Sequence, residues 1–227
     1  MTDALSPPQP PFEIADAAAR RRAWTGLMWR DHGFLRIGWS NFHWISPEMA
    51  RANQPSPKRI AHYAAQGFKT IVNLRGESEA GHYLLEREAC AAAGMKLVTF
   101  QVRSRDMLSK EQVIGAKALF DEIAYPALMH CKSGADRAGI MAALYVMLRQ
   151  GKRAEEAVTQ LSRKYGHFRE GKTGILDFFF ETYLAETKGE KPLLDWVRED
   201  YDPAATKQKF MSQWWANIWV DKILRRE

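Results

Sequence analysis

Ten consecutive residues, His130-Cys131-Lys132-Ser133-Gly134-Ala135-Asp136-Arg137-Ala138-Gly139, combine a nucleophile, a glycine turn and a guanidinium. They follow the apolar run Pro126-Ala127-Leu128-Met129 and precede the apolar residues 140–148. Those flanks predict a short buried strand, a tight loop and a helix. The loop's backbone N–H groups then sit at a helix N-terminus, where orphan donors and the helix dipole favour an anion. The same positive field favours the thiolate of a cysteine at its mouth, here Cys131. Lys132, Ser133, Gly134, Ala135, Asp136 and Arg137 form the cradle on this reading, and the planar fork of Arg137 suits two oxygens of a phosphate. A thiolate, a ring of amides and a guanidinium are together suited to attack on phosphorus.

Cys131, five residues and then Arg137, with His130 directly before the cysteine and Gly134 inside the loop, resemble the signature of the protein tyrosine and dual-specificity phosphatase superfamily. A rhodanese-like sulfur-transfer loop also sets a cysteine before a helix, but the span from Cys131 to Arg137 suits phosphate better. Arg51-Ala52-Asn53-Gln54-Pro55 is similar to an Arg-Ser-x-Gln-Pro segment in a bacterial branch akin to the plant and fungal atypical dual-specificity phosphatases, with Ala52 in place of the serine. Asn73-Leu74-Arg75 is similar to a strand end of that same branch. The resemblance implies hydrolysis through a phosphocysteine, with no cofactor and no metal. It also implies that Asn73 and Arg75 lie near the phosphate loop, with Arg75 binding substrate, bracing the loop, or standing as an ordinary surface arginine at a strand end. His130 is expected to hold the loop through backbone hydrogen bonds. The superfamily usually carries Ser or Thr directly after the arginine; Ala138 stands there, which puts the second half-reaction in question.

Cleavage of a phosphomonoester needs a proton for the leaving oxygen, so a carboxylic acid must accompany the cysteine. Asp106 lies in a strand-to-helix loop where related enzymes carry that acid. Asp121 and Glu122 fall near a helix end and read as a solvated face, while Asp136 lies within the phosphate loop and is expected to point outward. Cys90 reads as a small packed residue among alanines, and His167 as a capping or core-edge histidine.

The elements that must position these groups alternate along the chain. Strands are expected over residues 34–45, 69–76, 96–102 and 126–129, and helices over 57–66, 81–93, 110–123, 140–148, 153–165, 175–185 and 207–223. Residues 51–57 read as a turn entering a helix, with Ser56 as N-cap and Pro57 at the first helical position. Ser109 and Gln112 form a capping-box pattern. This order predicts an α/β fold with a central, mainly parallel sheet flanked by helices, phosphatase-like, with helical N- and C-terminal extensions. Ligands in such folds bind beyond the carboxyl ends of the strands, where Arg75, the Asp106 loop and the Cys131 loop all fall. The expected organisation is an N-terminal extension over 1–33, loosely attached and then a basic helix, a cysteine-phosphatase domain over 34–188, and a Trp-rich helical extension over 189–227.

Among 227 residues, the net charge of +6 and the pI near 9.3 favour anionic partners. Two cysteines argue against a disulfide framework and for a reducing compartment, and no run is apolar enough to span a bilayer. The expected location is cytoplasmic, with peripheral membrane attachment as an open alternative. All eight tryptophans lie within Trp24–Trp44 or Trp196–Trp219, and Lys and Arg side chains accompany both clusters, so packing of the two ends competes with an anionic membrane surface as the reading. No motif for nucleic acid is evident. The phosphorylated substrate is a protein, an inositol phosphate or a phospholipid on this reading, and a decayed, non-catalytic phosphate-binding module is the competing class.

Overall fold

Short runs of buried residues build one five-stranded sheet in the order β1-β2-β5-β3-β4: β1 (His43–Ser46), β2 (Met49–Asn53), β5 (Ala127–Cys131), β3 (Thr70–Asn73) and β4 (Lys96–Thr99). Only the β1–β2 pair is antiparallel; β2–β5, β5–β3 and β3–β4 run parallel. The sheet is therefore mainly parallel, as the alternation of elements predicts. The structure, a computed structural model, describes residues 14–224, with side chains as far as residue 216. Residues 1–13, expected to be loosely attached, lie outside the described residues, as do the side chains of Ile218, Trp219, Lys222, Ile223, Arg225 and Arg226.

Contacts divide the chain into two units, Met1–Val102 with Glu122–Ala138, and Arg103–Asp121 with Gly139–Glu227. The first unit holds the sheet, α1 (Ala17–Thr25), α2 (Pro57–Ala65) and α3 (Gly81–Ala92). Successive strand side chains point to opposite faces, so Ala50 and Ala52 of β2, Ile71 of β3 and Leu128 of β5 share one. Ile60 and Tyr63 of α2 and Cys90 of α3 pack on that face. Burial pushes the Cys90 thiol up to about 12, in keeping with a packing residue. Ser56 caps α2 by accepting from the Arg59 amide at 3.4 Å, with Pro57 first in the helix. Asp16 caps α1 through the Ala19 amide at 2.6 Å. α1 and the π-helical turn that follows it, Gly26–Arg30, join the unit through Ala23 and Leu27 against Leu85 of α3. The fit is close at Gly81, where any Cβ would meet the Ala23 carbonyl oxygen at 2.0 Å.

The second unit contains α4 (Lys110–Glu122), α5 (Asp136–Leu148) beyond its first turn, α6 (Ala154–Ala157), α7 (Ile175–Thr187), α8 (Leu193–Glu199) and α9 (Pro203–Leu224). Ser109 and Gln112 exchange the two capping-box bonds at 3.0 and 3.2 Å, opening α4. Fully buried Trp196 packs against Phe179, Tyr183 and Tyr201 at ring separations of 5.6, 5.4 and 4.8 Å, and its Nε1 donates to Glu186 Oε2 at 2.8 Å.

Three local expectations are corrected. Residues 34–45 yield only β1; Gly33–Arg36 is a 3₁₀ turn, because Arg36 is drawn inward to Asp31 and the alternation is interrupted. Residues 51–53 belong to β2 rather than to a turn, because Arg51 finds partners for its charge inside the fold. Residues 153–165 break after α6 into 3₁₀ turns ending at Gly166 (φ 80°), as the chain wraps around buried His167 and its 2.7 Å contact with Asp177. α8 has only seven residues, too few to show a clear helical period along the chain.

Candidate active site

The ten-residue stretch forms the loop from β5 into α5, as its flanks require. Cys131 ends the strand and is 2% exposed. The next four carbonyls are each held by a donor from elsewhere in the first unit. Lys132 O accepts from the Gln54 amide at 3.3 Å, and Ser133 O from Asn41 Nδ2 at 2.9 Å. Gly134 O and Ala135 O both accept from Arg51 Nη2, at 2.8 and 2.9 Å. A peptide whose carbonyl is bound on one side turns its N–H to the other. The amide of Gly134 accordingly reaches Cys131 Sγ at 3.2 Å. Gly134 itself has φ +77°, and a Cβ there would meet the Ala52 carbonyl carbon at 2.7 Å, so the loop and the end of β2 approach too closely for a side chain.

His130 is fully buried; its Nε2 lies 2.5 Å from Glu86 Oε1 and its Nδ1 3.5 Å from the Cys131 carbonyl oxygen. Glu86 Oε2 accepts from Asn73 Nδ2 at 2.8 Å, and Asn73 Oδ1 from the Arg75 amide at 2.7 Å. A close His130–Glu86 contact and then hydrogen bonds through Asn73 thus link the residue before the cysteine to the end of β3.

The Arg75 guanidinium extends this link, donating to Asp31 Oδ1 at 2.5 Å and Oδ2 at 2.9 Å, and to Gln54 Oε1 at 2.8 Å. Asp31 also accepts from Arg36 at 2.6 Å and lies 3.7 Å from Lys132 Nζ. Burial raises the Asp31 pKa, but the Arg75 bond and the Arg75 and Arg36 charges more than offset it, leaving it at about 2. Residues 31–36, expected to straddle an N-terminal extension and an edge strand, are therefore joined to the loop's surroundings by buried ion pairs.

Arg137 and Asp136 lie in the first turn of α5, where an acidic residue suits the helix dipole. Among the described residues no carboxylate or carbonyl pairs with the half-buried Arg137 guanidinium, whereas Arg51 and Arg75 are both committed to protein acceptors. Ser133 Oγ accepts from the Ala135 amide at 3.4 Å, and Ala138 is fully buried.

Asp106 belongs to the second unit and Cys131 to the first. Its Oδ1 is 2.7 Å from Lys207 Nζ of α9, and its Oδ2 is 3.6 Å from Arg103. The Lys207 hydrogen bond, above all, lowers the Asp106 pKa. The loop is further pinned within that unit by Tyr201, whose hydroxyl donates to Leu108 O at 2.6 Å, and by Lys110 Nζ, which donates to Arg198 O at 3.0 Å. Asp121 is occupied by Lys117 and Arg149. Among the described residues no three His, Cys, Asp or Glu side chains gather to hold a metal ion, and no helix is long and apolar enough to cross a membrane.

Sequence reasoning missed Arg51, Asn41, Asp31 and Glu86. The available signals were a lone arginine between small residues in Ala50-Arg51-Ala52, and a lone acid after Tyr83-Leu84-Leu85.

A mainly parallel sheet with a Cys–Arg loop between its central strand and a helix defines a protein tyrosine/dual-specificity phosphatase-like hydrolase. The chain belongs to the family described as DSP-PTPase phosphatase fused to NAD+ kinase, whose model matches residues 45–174. TpbA of P. aeruginosa, as a cysteine-to-serine variant in complex with phosphotyrosine, is similar with TM-score 0.53 and 18% identity over 71% of this chain and 94% of that one. Tk-PTP in its active form gives TM-score 0.51 and 20% identity over 63% and 98%. The core catalytic domain of the PP-IP phosphatase SIW14 from S. cerevisiae, in complex with citrate, gives TM-score 0.50 and 16% identity over 67% and 95%. At these identities the likeness establishes the fold alone. No curated protein matches the sequence.

Proposed function

We propose that the chain hydrolyses phosphomonoesters through a phosphocysteine on Cys131. The observation that carries this reading is the set of four consecutive loop carbonyls tied back by Gln54, Asn41 and Arg51, which leaves the amide edge and Arg137 to receive a phosphoryl group. Donors fixed before the substrate arrives stabilise the charge of the transition state without reorganisation. The Cys131 thiolate attacks phosphorus, and the bond to the ester oxygen breaks with its electron pair leaving on that oxygen. Asp106, as general acid, supplies the proton. Water then attacks the phosphocysteine while Asp106 takes a proton from it, the S–P bond breaks, and inorganic phosphate leaves with the thiolate restored. Asn73, His130 and Glu86 hold the loop's base, and Arg75 braces it through Gln54 and Asp31. Phosphotyrosine, the ligand of the TpbA complex, and inositol phosphates, the class suggested by SIW14, are candidate substrates beside phospholipids.

The test is hydrolysis of p-nitrophenyl phosphate in the presence of a chelator. Wild type is expected to turn over and Cys131→Ser to be inactive while still binding vanadate or phosphate. Equal inactivity of both proteins with retained phosphate binding would establish the alternative, a phosphate-binding module that has lost turnover, for which Ala138 is the one feature in favour.

A further inference from the structure

Of the ten large hydrophobic side chains that stand exposed among the described residues, seven fall between Trp24 and Trp44. Single exposed apolar residues are ordinary, but a concentration of this kind marks an interaction surface. Its centre is residues 29–39, where Trp29, Leu35 and Ile37 are 68%, 64% and 70% exposed and Phe34 and Trp39 accompany them.

The backbone beneath these side chains is firmly held. Arg36 Nη1 donates to the Asp31 carbonyl at 2.8 Å and Nη2 to its carboxylate, and Gly33 packs so closely on Leu27 that a Cβ would meet its carbonyl oxygen at 2.6 Å. With the polar side chains of the turn drawn inward, Phe34, Leu35 and Ile37 are left outward. The segment is also stitched to the phosphate loop. Asn53 Nδ2 donates to Trp39 O at 2.7 Å and the Asn53 amide to Ser40 O at 3.0 Å; Asn41 reaches Ser133 O, and Lys132 Nζ lies 3.4 Å from His32 Nδ1. The apolar side chains and the Cys131 loop thus form one edge of the first unit.

Charge selects the partner. Asp31 is the only acidic residue from 29 to 47, and it is buried against Arg75 and Arg36. Exposed Arg30, half-exposed Lys132, and Arg59, which donates to the carbonyls of Ile37 and Trp39, surround the apolar side chains. Tryptophan and branched aliphatics collared by Lys and Arg suit the boundary of an anionic bilayer.

We infer that residues 29–39 seat this enzyme on an anionic lipid surface, with Trp29, Phe34, Leu35, Ile37 and Trp39 entering the interfacial layer, so that the phosphomonoester offered to Cys131 is a lipid headgroup. This deepens the phosphocysteine reading above and rests on it. The sequence directed attention equally to the C-terminal tryptophans. Of these, Trp196 is core, Trp214 is half-buried with the Lys172 ammonium 5.2 Å from its ring, and Trp215 is exposed as a single large apolar side chain rather than as one of a group.

The test uses the full chain with phosphatidylcholine vesicles, with and without phosphatidylglycerol, and phosphatidic acid in those vesicles as substrate. Wild type is expected to sediment with the anionic vesicles and not with neutral ones. Leu35→Ser/Ile37→Ser is expected to lose about tenfold or more in vesicle affinity and in hydrolysis of vesicle-borne phosphatidic acid, with p-nitrophenyl phosphate turnover unchanged. The conservative pair Trp29→Phe/Trp39→Phe, which preserves packing, is expected to lose most of the quenching of tryptophan fluorescence by brominated lipid. Sedimentation indifferent to either the variant or the lipid charge overturns the inference. So does an equal loss by Leu35→Ser/Ile37→Ser on soluble phosphopeptides without vesicles, which would make the surface a peptide-docking face. Turnover of p-nitrophenyl phosphate without vesicle binding sinks this inference alone; vesicle binding in a protein with no turnover sinks the phosphatase reading alone.

Discussion

Arg51 is the residue whose removal tests the loop architecture most directly. Its Nη2 serves two successive carbonyls, Gly134 O and Ala135 O, and the side chain is fully buried. Arg51→Met keeps most of the stem and leaves both carbonyls without their donor. A buried acceptor stripped of its partner costs about 1–3 kcal/mol, so the two together amount to about 2–6 kcal/mol. The loop can relieve this by rotating those peptides, which would aim carbonyl oxygens instead of N–H groups at the phosphate. Whatever is relieved this way appears as lost transition-state binding, and whatever is not appears as lost stability. If the whole falls on the transition state, kcat/KM drops by about 30-fold to 3 × 10⁴-fold, at 1.36 kcal/mol per decade. Arg51→Lys is expected to fall in the same range, because the lysine stem ends one bond short of Nη2 and cannot reproduce its fork. The assay is kcat/KM on p-nitrophenyl phosphate together with the inhibition constant of vanadate, below the melting temperature of each variant. A variant with a lowered Tm but both constants within about threefold of wild type would refute the reasoning, since the guanidinium would then only fill space.

Two predictions concern pH. Asp31, held at about 2 against an ordinary 3.8, contributes stability that is complete above the unfolded value and is lost as pH falls through the folded one. Asp31→Asn should therefore lower stability at neutral pH by roughly 2 kcal/mol, and its Tm should change less than that of wild type between pH 4 and pH 2; parallel Tm curves would contradict the buried pairing. Asp106 must carry a proton when the ester oxygen leaves, so on the proposed mechanism kcat/KM for phenyl phosphate falls as pH rises through its pKa. Lys207, the main cause of the lowered Asp106 pKa, holds that fall at low pH; Lys207→Met should move it upward and Asp106→Asn should abolish it. An unmoved limb in Lys207→Met would show that this ion pair is absent from the working enzyme.

Much of this protein is legible along the chain because the responsible forces are local. The buried run before Cys131, the glycine inside the loop and the apolar helix after Arg137 are sequential neighbours, so the loop between β5 and α5 follows from strand, turn and helix rules. The caps at Asp16, Ser56 and Ser109 follow for the same reason, since each side chain bonds an amide three residues on. The parallel sheet follows from the alternation of elements.

What tertiary structure decided is where distant polar groups find partners. Residues 51–57 read as a turn because Pro55, Ser56 and Pro57 lead into a helix; Arg51 instead lies in β2, an interior strand, because loop carbonyls more than eighty residues away accept its protons. Glu86 belongs in the interior only because His130 and Asn73 meet it there. Asp31 draws residues expected in an appendage and an edge strand into the support of Arg75, and the same inward pull leaves Phe34, Leu35 and Ile37 outside. Local propensity determines that the loop from Cys131 to Arg137 forms between a strand and a helix; long-range satisfaction of buried charge determines how it is held and which surface stands beside it.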